Sequence, residues 1–268
     1  MNLNTSTLLE IFTKVIIIFL ILPVHEYAHA WAAHKMGDDT AAYSGRLTMN
    51  PLAHIDILGA LCLLFTGFGW AKPVPINPLK FKKQRLGVAV TAAAGPASNL
   101  LVALIAFIGY RFITASEFFR DGISILYSQY SNIDDVLNTP LNASSLELSA
   151  NGMNYMFFIL YILECFILIN IGLAVFNLLP IPPLDGSKIL SYFTSYKVER
   201  WIEKNYMIIN VVFLILVVSG ILSGPLGWVR NIIIKFLWLI TGFIPKLMGS
   251  NSIVISIIQL KAKMLLTE

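Results

Sequence analysis

Residues 25–29 read His-Glu-Tyr-Ala-His. On a helix, histidines four apart lie one above the other and could clamp a single metal ion. Glu26, one step around the same helix, is then placed to reach a water on that metal. Zinc suits this donor set, because it lowers the pKa of a coordinated water towards about 7 while a carboxylate takes the proton and passes it to a leaving amine. The chemistry so specified is hydrolysis of a peptide bond. The competing reading, polar residues on a solvent-facing helix end, sits poorly with the flanking sequence. An apolar run, residues 15–22, precedes the motif, and Ala28, Ala30, Trp31, Ala32 and Ala33 surround it. At membrane depth an unpaired His or Glu is costly and usually functional.

A catalytic zinc has three protein ligands and one open position, so a third ligand must come from elsewhere in the chain. Asp185 is the candidate. It stands at the boundary of an apolar stretch, in a turn built by Pro180, Pro182, Pro183 and Gly186, where a stiff backbone could hold a carboxylate towards a bundle interior. Taken alone, an Asp before a Gly reads first as a turn residue. His34 and His54 have no partner at ligand spacing and read as interfacial or loop residues. Cys62 and Cys165 lie far apart in apolar runs, which argues against a disulfide framework or a cysteine metal site and for two small buried hydrophobes.

The elements that must position these groups are membrane helices. Of 268 residues, 57% are hydrophobic and 13% charged, and the mean hydropathy is +0.74, well above a soluble domain. Several apolar stretches approach the roughly 20 residues that cross the hydrocarbon as a helix, so the expected fold is all-α, a polytopic transmembrane bundle. The net charge of +4 does not point to nucleic acid, since the basic residues sit in loops between apolar runs. The first helix should start near Thr5 or Ser6, run through Pro23 and the His-Glu motif, and stop at Gly37. It lacks a small-residue cleavage site and reads as a retained span. Residues 52–65 are too short and too broken by Asp56 and Gly59 for an obvious span and suggest a membrane-dipping hairpin.

Prolines 73, 75 and 78 forbid a helix over 67–78 and predict an exposed, extended, β-like segment. Spans are expected over about 86–112 and 153–179, an acidic loop over 113–150, a mixed-charge amphipathic stretch over about 188–204, and two further spans over about 206–222 and 229–245. The domain reading is a core over 1–190 and a C-terminal segment over 191–268 carrying the amphipathic stretch and the two added spans. Basic loops 72–85 and 188–204 should be cytosolic, with the acidic loop on the opposite side.

A His-Glu-x-x-His helix followed about 160 residues later by Asn177-Leu-Leu-Pro-Ile-Pro-Pro-Leu-Asp-Gly186 resembles the site-2 protease family of intramembrane zinc metalloproteases. Residues 46–51, His54-Ile-Asp56, the stretch 71–77 and Gly95-Pro-Ala-Ser-Asn99 also resemble its short bacterial members. The resemblance covers residues 15–190. It implies a zinc cofactor held by His25, His29 and Asp185, Glu26 as general base and acid, and transmembrane proteins or peptides as substrates in a bacterial inner membrane. It also places Asn177 near the metal, as a donor to the oxyanion or the substrate backbone; a helix-terminal amide satisfying carbonyls freed beside Pro180 is the alternative. Asn99 reads as a packing residue at a Gly-Pro break. The family's larger relatives carry appended domains for which this sequence has no counterpart.

An α-helical substrate hides its carbonyls in its own hydrogen bonds, so cleavage requires local unwinding. Residues 74–77 could accept the unwound segment by strand addition. Two other classes compete. In a transporter the same side chains would line a cation path, and in a scaffold zinc would need a fourth protein ligand that neither motif offers.

Overall fold

The structure, a computed structural model, describes residues 5–66, 69–117, 119 and 153–247. Eleven α-helices occupy these residues: α1 Thr5–Lys35, α2 Thr40–Tyr43, α3 Pro51–His54, α4 Ile57–Thr66, α5 Gln84–Ala115, α6 Met153–Asn177, α7 Asp185–Phe193, α8 Tyr196–Lys204, α9 Tyr206–Val218, α10 Ser223–Ile240 and α11 Ile244–Leu247. The all-α expectation holds. Among the described residues the β-pairing is one isolated antiparallel bridge, Ile55 with Ala71. Nearly all of the acidic loop expected over 113–150 lies outside the described residues.

Among the described residues two helices, Gln84–Ala115 and Ile159–Asn177, are long and apolar enough to cross a membrane. A third span is formed if α8 and α9, bent by 72° at their junction, count as one. Alone, the 13 residues of α9 reach about 20 Å, short of the roughly 30 Å of hydrocarbon. The expected span over 206–222 is therefore a shorter helix that turns sharply into the amphipathic stretch before it.

The chain divides into two compact units. The first comprises Val15–Val102 and Ile169–Arg230 and contains every residue singled out for chemistry. Its entry is α1, which ends where Gly37 adopts φ 104°, a left-handed conformation that favours glycine. The chain then returns through α2 and α3. Asn50 caps α3 by accepting from Leu52 N–H, with Pro51 at the first helical position. Asp56, which read as an interruption, accepts the Gly59 N–H at 2.8 Å and starts α4. The extended segment 71–77 follows, and Lys72 N–H donates to His54 O at 2.8 Å. Gly59 lets α4 and this strap meet: a Cβ there would lie 2.2 Å from Trp70 O.

The second unit comprises Met1–Lys14, Ala103–Leu168 and Asn231–Glu268. Its core includes Phe119 and Leu160, packed with Tyr110, Ile113 and Trp238. Arg111, only 3% exposed, lays its guanidinium over the Trp238 ring at 4.3 Å, a cation–π contact that compensates part of the cost of a charge inside a membrane helix.

Candidate metal centre

The helical spacing of four brings both imidazoles to one face of α1, where both are buried. Their Nε2 atoms lie 3.0 Å apart. Asp185, the first residue of α7 and also buried, aims Oδ2 at the pair, 3.4 Å from His25 Nε2 and 3.2 Å from His29 Nε2. These three side chains form a group able to hold a metal ion. Zinc bonds of about 2.0–2.2 Å in a tetrahedral arrangement separate neighbouring donor atoms by about 3.3–3.6 Å. The observed separations of 3.0–3.4 Å come close to that spacing, and two imidazoles with one carboxylate are zinc donors. The residues present fit the ion.

Two glycines make this convergence possible. A Cβ on Gly95 of α5 would lie 2.3 Å from His29 Nε2 and 2.6 Å from His25 Cε1. One on Gly186 would meet the carbonyl oxygens of Leu178 and Leu179 at 2.3 Å. Helix α5 thus presses its backbone against the imidazoles, and the proline-rich turn folds back tightly enough to bring Asp185 to them.

His29 Nδ1 lies 2.7 Å from Thr91 O on α5. As a donor to that carbonyl, Nδ1 leaves Nε2 free for a metal. Burial works against an ionised Asp185, but hydrogen bonds and charge from His25 and His29 outweigh it and hold the carboxyl below the usual carboxylate range. Lys188, one turn along α7, brings Nζ to 3.7 Å from Asp185 Oδ1.

Glu26 and Asn177 line one cavity of about 530 Å³ together with His25, His29 and Asp185. Asp56, Trp70, Val74 and Ile76 contribute its wall on the side of the strap. Asn177 Nδ2 donates to Leu173 O at 3.0 Å. Leu173 O lies inside α6 and is not a carbonyl freed beside Pro180, and the amide carries a second N–H in addition.

Several residues to which the sequence assigned no part in the site organise the strap. Asp38, fully buried, accepts from Thr40 N–H and hydroxyl and from the Asn77 backbone N–H. Burial raises its pKa, but these donors and nearby Lys80 pull it below the ordinary carboxyl value. Arg46 is buried and donates to Ala53 O and Lys72 O. His54 is buried too, with Nε2 2.8 Å from Thr48 O, so it is a structural core residue and not the interfacial or loop residue expected. His34 pairs with Asp39 at the exposed end of α1. Cys62 and Cys165 are half-buried. Thr91 stood one helical turn before Gly95 and gave no cue, because its backbone carbonyl is what acts.

A family model for peptidase family M50 matches residues 13–219. YwhC of Bacillus subtilis (strain 168), provisionally named a zinc metalloprotease, is 35% identical over 213 residues, which cover 80% of this chain and 81% of that protein. No solved structure matches the chain.

Proposed function

The chain belongs to peptidase family M50, a family of site-2-type zinc metalloproteases, and from that premise we propose that it is a multi-pass endopeptidase of the bacterial inner membrane that cleaves transmembrane segments of other membrane proteins. The observation that carries this reading is the convergence of His25, His29 and Asp185 at 3.0–3.4 Å beside Glu26 in one cavity. His25, His29 and Asp185 would hold the zinc. When bound, the ion supplies a Lewis acid that acidifies water and polarises the scissile carbonyl.

The remaining work belongs to the chain. Glu26 takes the proton of the attacking water and returns it to the departing amine, so the peptide bond breaks with no net proton change. The second N–H of Asn177 is available to the oxygen that gains charge in the transition state. The strap 71–77, its backbone extended by Pro73 and Pro75, receives the unwound substrate by main-chain pairing. Val74 and Ile76 on the cavity wall meet its side chains. The core over 1–190 carries this machinery, and 191–268 adds the amphipathic stretch and further membrane helices.

The test is Glu26→Gln. An amide cannot accept the proton, and positioned general-base catalysis is worth about 10²- to 10⁴-fold. Cleavage of an unstable transmembrane peptide in detergent should fall by that factor, while zinc content measured by elemental analysis stays at the parent level. The variant should also retain uncleaved substrate on co-purification. Asp185→Ala should fail differently, by losing the metal. Cleavage by Glu26→Gln at the parent rate would sink the mechanism.

A further inference from the structure

An imidazole that binds metal through Nε2 carries its proton on Nδ1, and an acceptor for that proton fixes both the tautomer and the ring plane. His29 has its acceptor in Thr91 O. His25 Nδ1 is buried with no hydrogen-bond partner. Other buried atoms among the described residues share that condition, Thr91 Oγ1 included, and on α5 one whole amide does: Asn99 is completely buried, and neither its amide oxygen nor its amide nitrogen makes a hydrogen bond. Buried polar atoms at membrane depth are normally satisfied, so these atoms call for an account.

The register of α1 against α5 supplies it. Thr91, Gly95 and Asn99 are spaced i, i+4 and i+8 on α5 and lie along one ridge of that helix. Thr91 meets His29. Gly95, one turn on, faces both His29 and His25. Advancing along α5 therefore moves the contact back along α1, from His29 towards His25, and the next residue on the ridge is Asn99. Gly95 has no side chain to block the way between the His25 ring and that next turn. Asn99 also brings the right chemistry, since its amide oxygen accepts and its amide nitrogen can donate to a neighbouring carbonyl.

We propose that Asn99 is the positioning residue of His25: its amide oxygen accepts the His25 Nδ1–H across one bridging water, since neither atom has a direct partner, where the Thr91 carbonyl serves His29 directly. This gives the sequence pattern Gly95-Pro-Ala-Ser-Asn99 a role at the metal centre in place of helix packing. It rests on the reading of His25 and His29 as zinc ligands.

The experiment is a zinc titration of the purified, metal-stripped full chain in detergent, in competition with a chelator of known affinity. Asn99→Leu keeps the volume and removes both polar atoms. It should weaken zinc binding by about 10- to 100-fold, the usual effect of deleting a partner behind a ligand histidine. Asn99→Asp keeps an acceptor and should return the affinity to within about threefold of the parent. Should Asn99→Leu fail to fold, Asn99→Ala takes its place in the same titration. Parent-like zinc affinity in the apolar variant would overturn the proposal. So would equal weakening in the Leu and Asp variants, which is the signature of packing alone. His25→Ala separates this from the underlying assignment: undiminished zinc binding there would remove His25 from the site, whereas a loss there with unchanged Asn99 variants would reject the Asn99 role only.

Discussion

The metal centre and the strap beside it lie in the same compact unit, yet they are held by opposite means. The centre is fixed by lack of room: α5 approaches the imidazoles so closely that no Cβ fits at Gly95, and the turn before Asp185 closes so tightly that none fits at Gly186. The strap is fixed by polar ties from a distance. Asp38 holds Asn77, Arg46 holds Lys72, and His54 pairs with Lys72 through the backbone. A steric clamp keeps ligand atoms within a few tenths of an ångström and tolerates no added volume. A set of hydrogen bonds aligns a segment that must also receive another chain, and it is sensitive to charge and pH.

This contrast can be broken from either side. The largest effect is expected at the clamp. Gly95→Ala puts a methyl group on the imidazoles, and overpacking of this kind costs about 1–3 kcal/mol. Zinc affinity should fall by about 5- to 150-fold on that account, measured by the same chelator competition. An unchanged affinity would show that α5 can retreat and that the centre is not sterically fixed.

A different effect, on the strap and not on the metal, is expected from Asp38→Asn. Hydrogen bonds to a charged group are worth about 1.5–3 kcal/mol, and the variant loses the charge that faces Asn77 and Thr40. The strap should loosen, so KM for a peptide substrate rises and limited proteolysis within 71–77 speeds up, while zinc content stays at the parent value. Loss of zinc in this variant would mean that strap and centre form one unit.

The mildest probe is pH. The Asp38 carboxyl has its folded-state pKa below its ordinary value of 3.8. Its contribution is therefore complete above that value and is lost as the pH falls through the lower folded-state pKa. Proteolytic protection of 71–77 should be constant above pH 4 and decline below it in the parent, and Asp38→Asn should show no such decline in that window. A parent profile that stays flat to lower pH would remove Asp38 as the tie.

Much of this was legible in the sequence because it is local. A helix repeats every 3.6 residues, so His25 and His29 must share a face wherever α1 packs. Prolines 73 and 75 dictate an extended backbone without help from neighbours, and apolar composition alone specifies membrane helices. The stop of α1 follows from Gly37 by the same local logic, whereas Asp56, read from the sequence as an interruption, starts α4. Asp185 was legible too, though only by pairing its motif with the distant His-Glu motif.

What the tertiary structure alone decided is which distant groups meet. Nothing in the order of residues says that the carbonyl of Thr91 serves His29, that Asp38 reaches across to Asn77, or that Arg46 and His54 are buried parts of a frame and not loop charges. Backbone carbonyls and amides are the same at every position, so their use as partners leaves no trace in residue type. Glycine at 95 and 186 could have served flexibility or close approach. Only the packing of α5 on α1, and of the turn on α7, shows that at both positions the absence of a side chain is what lets two histidines and an aspartate reach one point.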